Sequence, residues 1–463
     1  MIDIDLPLDM SHPEADQFLQ SIQGNIIKGH GRDFTAHLVL KMVAAAPNVR
    51  GRIAQFATQR VTTATVAHQQ ASTWRATKGY GDPFAMFLLA PDGYRHLGFA
   101  DDEFPSPRND QFTDSFHIDY FRRGMKGQAT ITQRRYNDPP PSQWDPPYQQ
   151  QIHAMVLLAD DDENRLSQTV QEIVSSFAGI FEVLAIERGH VIRNTFARGT
   201  LDIEHFGFQD GVSQPLMIQQ DIAKEVAGRG STHWDPSAGL GLALVEEPGD
   251  PGAYGSFMVF RKLEQNVEAF WAALQELARQ SALDIEDIGA LAVGRYRDGT
   301  PAVPTTTIEP GADSNDFHYD QDAFGSKCPF HAHIRKTNPR GDIARILGGA
   351  AEFERARRIV RRGITYGDRP DLSERPTTGV GLLFMCFQSN LDQFVIQQDG
   401  ADSNAFIRAA TGVDAVIGQN TAPIDQTWPS DGTVKFTMAN FVSMKGGEYF
   451  FAPSMRFLQG LAQ

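Results

Sequence analysis

The order of segments along the chain predicts an α+β fold built from a duplicated unit, with two antiparallel sheets and peripheral helices. Two observations carry this. A strand-like apolar run, a helix-patterned stretch, a second apolar run and a turn signal follow one another from residue 37, and the same order returns from residue 256. Hydrophobic residues make up 41% of the 463-residue chain, with 41 glycines besides, which is enough to fill a sizeable core.

Residues 37–43 (HLVLKMV) read as the first strand, and 49–59 as a helix with apolar residues near i, i+4 and i+7. Residues 84–90 (FAMFLLA) form the second strand and stop at Pro91-Asp92-Gly93. From 105 to 147 the sequence is rich in Pro, Asp, Arg and Gln and reads as a long insertion, stiffened by Pro139 to Pro141. A third strand is expected over 152–159, followed by an acidic cluster, 160–163, that opens a helix over 163–177 as a solvated cap. The second round begins with 256–261 (SFMVFR), passes through Asn266 into a helix over 267–280, and ends with 381–388 (GLLFMCFQ) before Asn390-Leu391-Asp392. We therefore expect two halves, 1–225 and 226–463.

Charge and cysteine content narrow the function. The 57 Asp and Glu against 42 Lys and Arg leave a formal charge of −15, which argues against nucleic acid and against anionic lipid, since both need a basic face. With only Cys328 and Cys386, the chain has no disulfide framework, no CxxC zinc element and no CxxCH for covalent haem, and a reducing compartment fits best. The opening MIDIDLPLDM lacks the basic and apolar regions of a secretory signal. The longest apolar run, 379–387, is far short of the roughly 20 residues of a membrane helix. A soluble, cytoplasmic protein is expected.

Three segments place charge among glycine, proline or apolar neighbours. In 205–215 (HFGFQDGVSQP), glycines bracket a carboxylate, Asp210, beside aromatic side chains, where desolvation would raise its pKa toward neutrality. Taken alone, Asp-Gly is also an ordinary turn. In 328–340 (CPFHAHIRKTNPR), His331 and His333 share a face only if the segment is extended. Without HExxH or CxxC nearby, a zinc site is disfavoured, whereas one histidine suffices for an iron already held by a porphyrin. In 359–367 (IVRRGITYG), a guanidinium between apolar neighbours can turn inward to pair with an anion, or can lie on the surface of a basic helix over 353–362. No GxSxG elbow, Walker loop or GxGxxG junction appears.

Taken together, GFQDG at 207–211, HIRKTNPR at 333–340, Arg361 ahead of GITYG at 363–367, and GLLF at 381–384 resemble the dye-decolourising peroxidase family in order and spacing. The resemblance extends to 22–31 (IQGNIIKGHG) and 445–454 (KGGEYFFAPS), and so covers nearly the whole chain; length and opening motif are most similar to the larger, advanced class. It implies two ferredoxin-like halves and one noncovalent haem b in the C-terminal half. It further implies that His333, rather than His331, is the axial ligand, and that Asp210 and Arg361, rather than Arg362, face the distal side. Leu382 and Phe384 alternate on a strand and can cover the same haem face, keeping the distal pocket narrow. Asp414 is a candidate partner for the second ring nitrogen of His333.

The activity implied is reduction of hydrogen peroxide with oxidation of bulky aromatic reductants such as dyes and phenols. These would give up electrons at the haem edge or through Trp234, Trp271, Trp428 or Tyr366. A haem store, carrier or sensor is the rival expectation, and a monomer or small homo-oligomer is expected in either case.

Overall fold

The computed structural model describes residues 2–77, 79, 81–108, 119–128, 137–229, 233–303, 315–405, 407–408, 410–420, 422–429 and 434–463. Its strands are β1 (Phe34–Met42), β2 (Phe84–Leu89), β3 (Ala154–Asp160), β4 (Phe181–His190), β5 (Ile192–Phe196), β6 (Gly199–Ile203), β7 (Val245–Glu246), β8 (Tyr254–Gln265), β9 (Val360–Arg361), β10 (Ile364–Tyr366), β11 (Gly381–Gln388), β12 (Gln426–Trp428), β13 (Val434–Phe436) and β14 (Val442–Ala452).

The first unit runs β1, helix Ala46–Gln59, β2, β3, helix Glu163–Phe177, β4, with strands in the order β4-β1-β3-β2, all antiparallel. The second runs β8, helix Val267–Ser281, β10, β11, helix Asp392–Asp402, β14, in the order β14-β8-β11-β10. Both are the ferredoxin-like arrangement, with the fourth strand beside the first and the third beside the second. The duplication expected from the order of segments is thus present as topology.

The two sheets are not separate. β14 meets β2 edge to edge through Phe451 and Leu89, and at the opposite edge Thr365 Oγ1 donates to the carbonyl of His190. Close approach there needs Gly189, because a Cβ on it would lie 2.4 Å from Ile364 Cγ2. Gln23, in the opening motif, binds both backbone groups of Phe87 and the carbonyl of Pro453, so the N-terminal and C-terminal motifs meet where the units join.

Every residue of β2 and of β3 is buried, which explains the apolar sequence of β2 and of β3 as far as Ala159. Asp162 caps the helix Glu163–Phe177 by accepting from the N–H groups of Asn164 and Arg165. Asp160, expected as part of a solvated cap, is instead fully buried and bound by Arg165.

The basic stretch expected as a helix over 353–362 divides. Helix Ala351–Ala356 ends early, and β9 pairs with Phe387 and Cys386 of β11. Of the expected insertion at 105–147, residues 109–118 and 129–136 lie outside the described residues; the remainder includes helix Tyr120–Gln128, which buries Phe121 and Met125. Among the described residues no helix is long and apolar enough to cross a membrane.

Candidate active site

The GFQDG loop follows β6. Gly207 and Gly211 have φ of +97° and +73°, in the region that glycine enters without strain, so the chain reverses on both sides of Phe208 to Asp210. Phe206 packs on Phe270 with ring centroids 4.3 Å apart, and Phe208 meets the same ring edge-on at 6.2 Å. These contacts anchor the loop on the helix Val267–Ser281 and leave Asp210 at its tip. The apolar enclosure expected for Asp210 is only partial: its side chain is 37% exposed, and Oδ1 accepts from the N–H of Gly211 at 2.6 Å.

Arg361 faces this loop because β9 pairs with β11. Its Nη2 donates to Ser213 O at 2.9 Å, its backbone N–H to Gln214 Oε1 at 3.2 Å, and Nη1 lies 3.5 Å from Asp210 Oδ1. Arg362 turns the other way and donates to the carbonyls of Asn25 and Ile26. Successive arginines on an extended segment point apart, so only the first reaches Asp210.

His333 opens the short helix His333–Thr337, with the extended Ala332 as its N-cap residue. That change of backbone separates the two histidines. His331 is buried against Trp428, ring centroids 4.4 Å apart, with Nδ1 3.2 Å from Thr411 O; burial pulls its pKa down to about 3, so it is neutral.

His333 Nδ1 lies 2.9 Å from Asp414 Oδ2, and the other oxygen of that fully buried carboxylate accepts from the N–H groups of Val416 and Ile417. Burial acts against charge on either partner, but their mutual attraction outweighs it. Asp414 is held below the usual carboxylate range and His333 above the usual histidine value. With Nδ1 committed to Asp414, Nε2 is left as the ring nitrogen able to act as a ligand.

Neighbouring charges hold this pair in place. Arg335, fully buried, is bound by Asp322 at 3.0 Å and Asp342 at 2.7 Å, and Lys336 Nζ donates to the carbonyls of Ser403 and Gly412, just ahead of Asp414.

His333, Asp210 and Arg361 all line one cavity of about 790 Å³, walled by Phe206, Phe208, Leu382, Phe384, Val416 and Ile417. Leu382 and Phe384 alternate with the fully buried Leu383 and Met385, so they share the cavity face of β11 as expected. Asp414 is placed behind His333 and outside the lining.

The four aromatic residues considered for electron relay are all buried. Arg340 and Arg358 lie over Trp234, Arg297 and Arg375 over Trp271, and Lys262 over Tyr366. A cation over a ring makes removal of an electron from it harder.

Sequence reasoning passed over two further groups on the cavity wall. Arg340 donates to Asn315 and Ser213, with burial lowering its pKa to about 9, and Arg261 donates to Gln398 and pairs with Asp138. The signal for Arg261 was present, as a cation ending the apolar run SFMVF.

The chain is 38% identical over 479 aligned positions to the multifunctional dye peroxidase DyP2 of an Amycolatopsis species, covering 97% of each chain. The chain belongs to the dye-decolourising peroxidase family. It is therefore a peroxidase, an oxidoreductase. The dye-decolorizing peroxidase msp1 of Mycetinis scorodonius is 31% identical over 74% of this chain and 72% of its own. Among solved structures, the DyP-type peroxidase of an Anabaena species superposes with a TM-score of 0.89 at 38% identity, each chain covered completely. No family model matches the chain.

Peroxidases of this family are haem enzymes, and the residues present fit that group. The cavity offers apolar walls for a flat ring, a histidine whose Nδ1 is already occupied by a carboxylate, and guanidinium groups of Arg340 and Arg361 able to meet anionic substituents.

Proposed function

We propose that the chain binds one noncovalent haem b through His333, reduces hydrogen peroxide, and oxidises bulky aromatic reductants such as anthraquinone or azo dyes and phenols. The observation that carries this reading is convergence: a carboxylate-backed histidine and a carboxylate with a guanidinium line one apolar cavity, although they lie far apart in sequence. Haem bound there supplies an iron centre that accepts the oxidising equivalents of peroxide and passes them to reductants.

The protein's own groups handle protons and charge. Asp210 takes a proton from the incoming peroxide and returns it to the oxygen that leaves as water, directly or through one water molecule. Arg361, fixed by Ser213 and Gln214, stabilises the negative charge that develops on the departing oxygen. Asp414 keeps the proton of His333 on Nδ1 and so presents Nε2 as the ligand.

With haem in the cavity, Leu382 and Phe384 would cover its distal face and keep the space there narrow enough for peroxide but not for a bulky dye or phenol, so large reductants react from outside it. The acidic surface favours neutral and cationic reductants, and low pH favours anionic dyes. The two buried, free cysteines fit a reducing, cytoplasmic setting.

A haem store or carrier needs neither Asp210 nor Arg361 and is not favoured. Reconstitution with haemin followed by rapid mixing with peroxide decides the matter. A Soret band that changes within milliseconds, with turnover of an anthraquinone dye, a phenol or a Mn(II) salt, supports the peroxidase. Slow reaction together with ready loss of haem to apomyoglobin would support a carrier.

A further inference from the structure

The loop that presents Asp210 is wound around a second carboxylate. Glu204 directly follows β6; its backbone N–H donates to Phe208 O at 3.1 Å and its carbonyl accepts from Gly207 N–H at 2.8 Å, closing the chain into a tight turn. The side chain fills the inside of that turn. Oε2 accepts from Phe206 N–H at 2.8 Å, and Oε1 from Phe208 N–H at 3.0 Å. A third donor comes from the second unit's sheet, where Gln265 Nε2 reaches Oε2 at 2.6 Å.

Gln265 is itself fixed, since its backbone N–H donates to Val380 O at 2.9 Å. One carboxylate thus ties together both aromatic residues of the loop and the end of β8. Such charge-assisted bonds are the stronger kind. Beyond this turn the chain is held at Gln209, whose N–H donates to Arg297 O and whose Oε1 accepts from Arg198, and at Asp210, whose N–H donates to Asp202 O.

We propose that Glu204 is a positioning residue: it holds the 204–210 loop, and through it the direction from which Asp210 faces Arg361, without touching the reacting atoms. This rests on the role given to Asp210 above. A carboxylate is suited to the task because it accepts from three donors at once. Glutamine would turn an N–H donor toward a backbone N–H, and aspartate is one methylene too short to reach both amides.

The test uses Glu204→Gln and Glu204→Asp in the full chain, with and without haemin. Amide hydrogen exchange at Phe206 and Phe208 should accelerate at least about tenfold in both variants while exchange in β3 stays unchanged. In the haem-loaded protein the rate of reaction with peroxide should fall by about 100-fold, as expected when a reacting group is misplaced by about 1 Å. The Soret position and the KM for reductant should hold.

Unchanged exchange at Phe206 and Phe208 would overturn the proposal. So would full recovery of rate by Glu204→Asp, because charge rather than reach would then be what matters. If Glu204→Gln does not fold, Gln265→Leu removes one donor and leaves the carboxylate; exchange at Phe206 should then rise and the peroxide rate fall severalfold, and no change in either would again overturn it. Failure of the underlying reading has a different signature: Asp210→Asn would leave the peroxide rate of the parent protein intact, while the exchange data would still report whether Glu204 holds the loop.

Discussion

The two ferredoxin-like units share one strand order, yet the first is solid and the second hollow. In the first, β2 and β3 are buried along their whole length, and the helices Ala46–Gln59 and Glu163–Phe177 pack directly on the sheet. In the second, Leu382 and Phe384 of β11 look instead onto a cavity of about 790 Å³. The difference lies in the connections. The described parts of the connections between helix Val267–Ser281 and β9, and between helix Asp392–Asp402 and β14, supply His333 and Arg340 to the cavity wall and Asp414 behind His333. The first unit holds the edges of the second sheet in place, through the Phe451–Leu89 pairing and the bond from Thr365 to His190. Repetition of a fold thus allowed one copy to support while the other opened a site.

The largest test of this contrast removes the histidine from the hollow unit. His333→Ala should shift the Soret band of the haemin-reconstituted protein and speed haem loss to apomyoglobin at least about tenfold, since on the proposed reading His333 would hold the iron; an unchanged spectrum would remove His333 as the ligand. Asp210→Asn should slow the reaction with peroxide by about 10² to 10⁴ while leaving the Soret position alone, the range typical of a lost general acid–base. Stopped-flow absorbance measures both.

Arg361→Ala should cost about 10² to 10³ in the same rate, as for loss of a fixed donor to developing negative charge. The Ser213 carbonyl would lose its donor while the backbone N–H at 361 keeps its bond to Gln214, so a rate equal to the parent's would show that the Arg361 side chain only braces the loop.

A paired truncation compares solid with hollow directly. Leu88→Ala, in the closed interior of β2, should lower stability by about 2–5 kcal/mol, whereas Leu382→Ala, on the cavity wall, should cost less than about 1 kcal/mol in the haem-free protein. Denaturant melts of the two variants decide this, and equal losses would contradict the contrast.

The smallest expected effect concerns pH. Burial is the chief reason that the pKa of Asp402 is raised to about 7, against an ordinary 3.8, while the N–H groups of Gln419 and Asn137 hold it down. The folded protein therefore keeps a proton that the unfolded chain releases. Stabilisation from this group is full below about pH 4 and is lost as pH rises to about 7. Asp402→Asn should flatten the dependence of Tm on pH across that window, and an unaltered slope would place the titration elsewhere.

The strands most legible in the sequence are those with near-continuous apolar runs. The run 381–388 was read with the same bounds that β11 has, and the turn after β2 was marked by Pro91-Asp92-Gly93. β9 was not legible, because 353–362 carries a local helical pattern and its pairing partner lies in β11, beyond the reach of any local window. Arg362 illustrates the same limit: its partners, the carbonyls of Asn25 and Ile26, come from the opposite end of the chain.

By itself, the sequence determined which residue types could serve: a glycine-flanked carboxylate, a histidine without zinc-site companions, an arginine beside glycine, and too few cysteines for covalent haem. Tertiary structure decided which member of each close pair lines the cavity. His333 rather than His331 meets Asp414, because the backbone turns from extended to helical between the two histidines. Arg361 rather than Arg362 meets Asp210, because strand pairing with β11 sends neighbouring side chains to opposite faces. Side-chain chemistry is local and can be read one residue at a time; direction depends on contacts between segments distant in the chain.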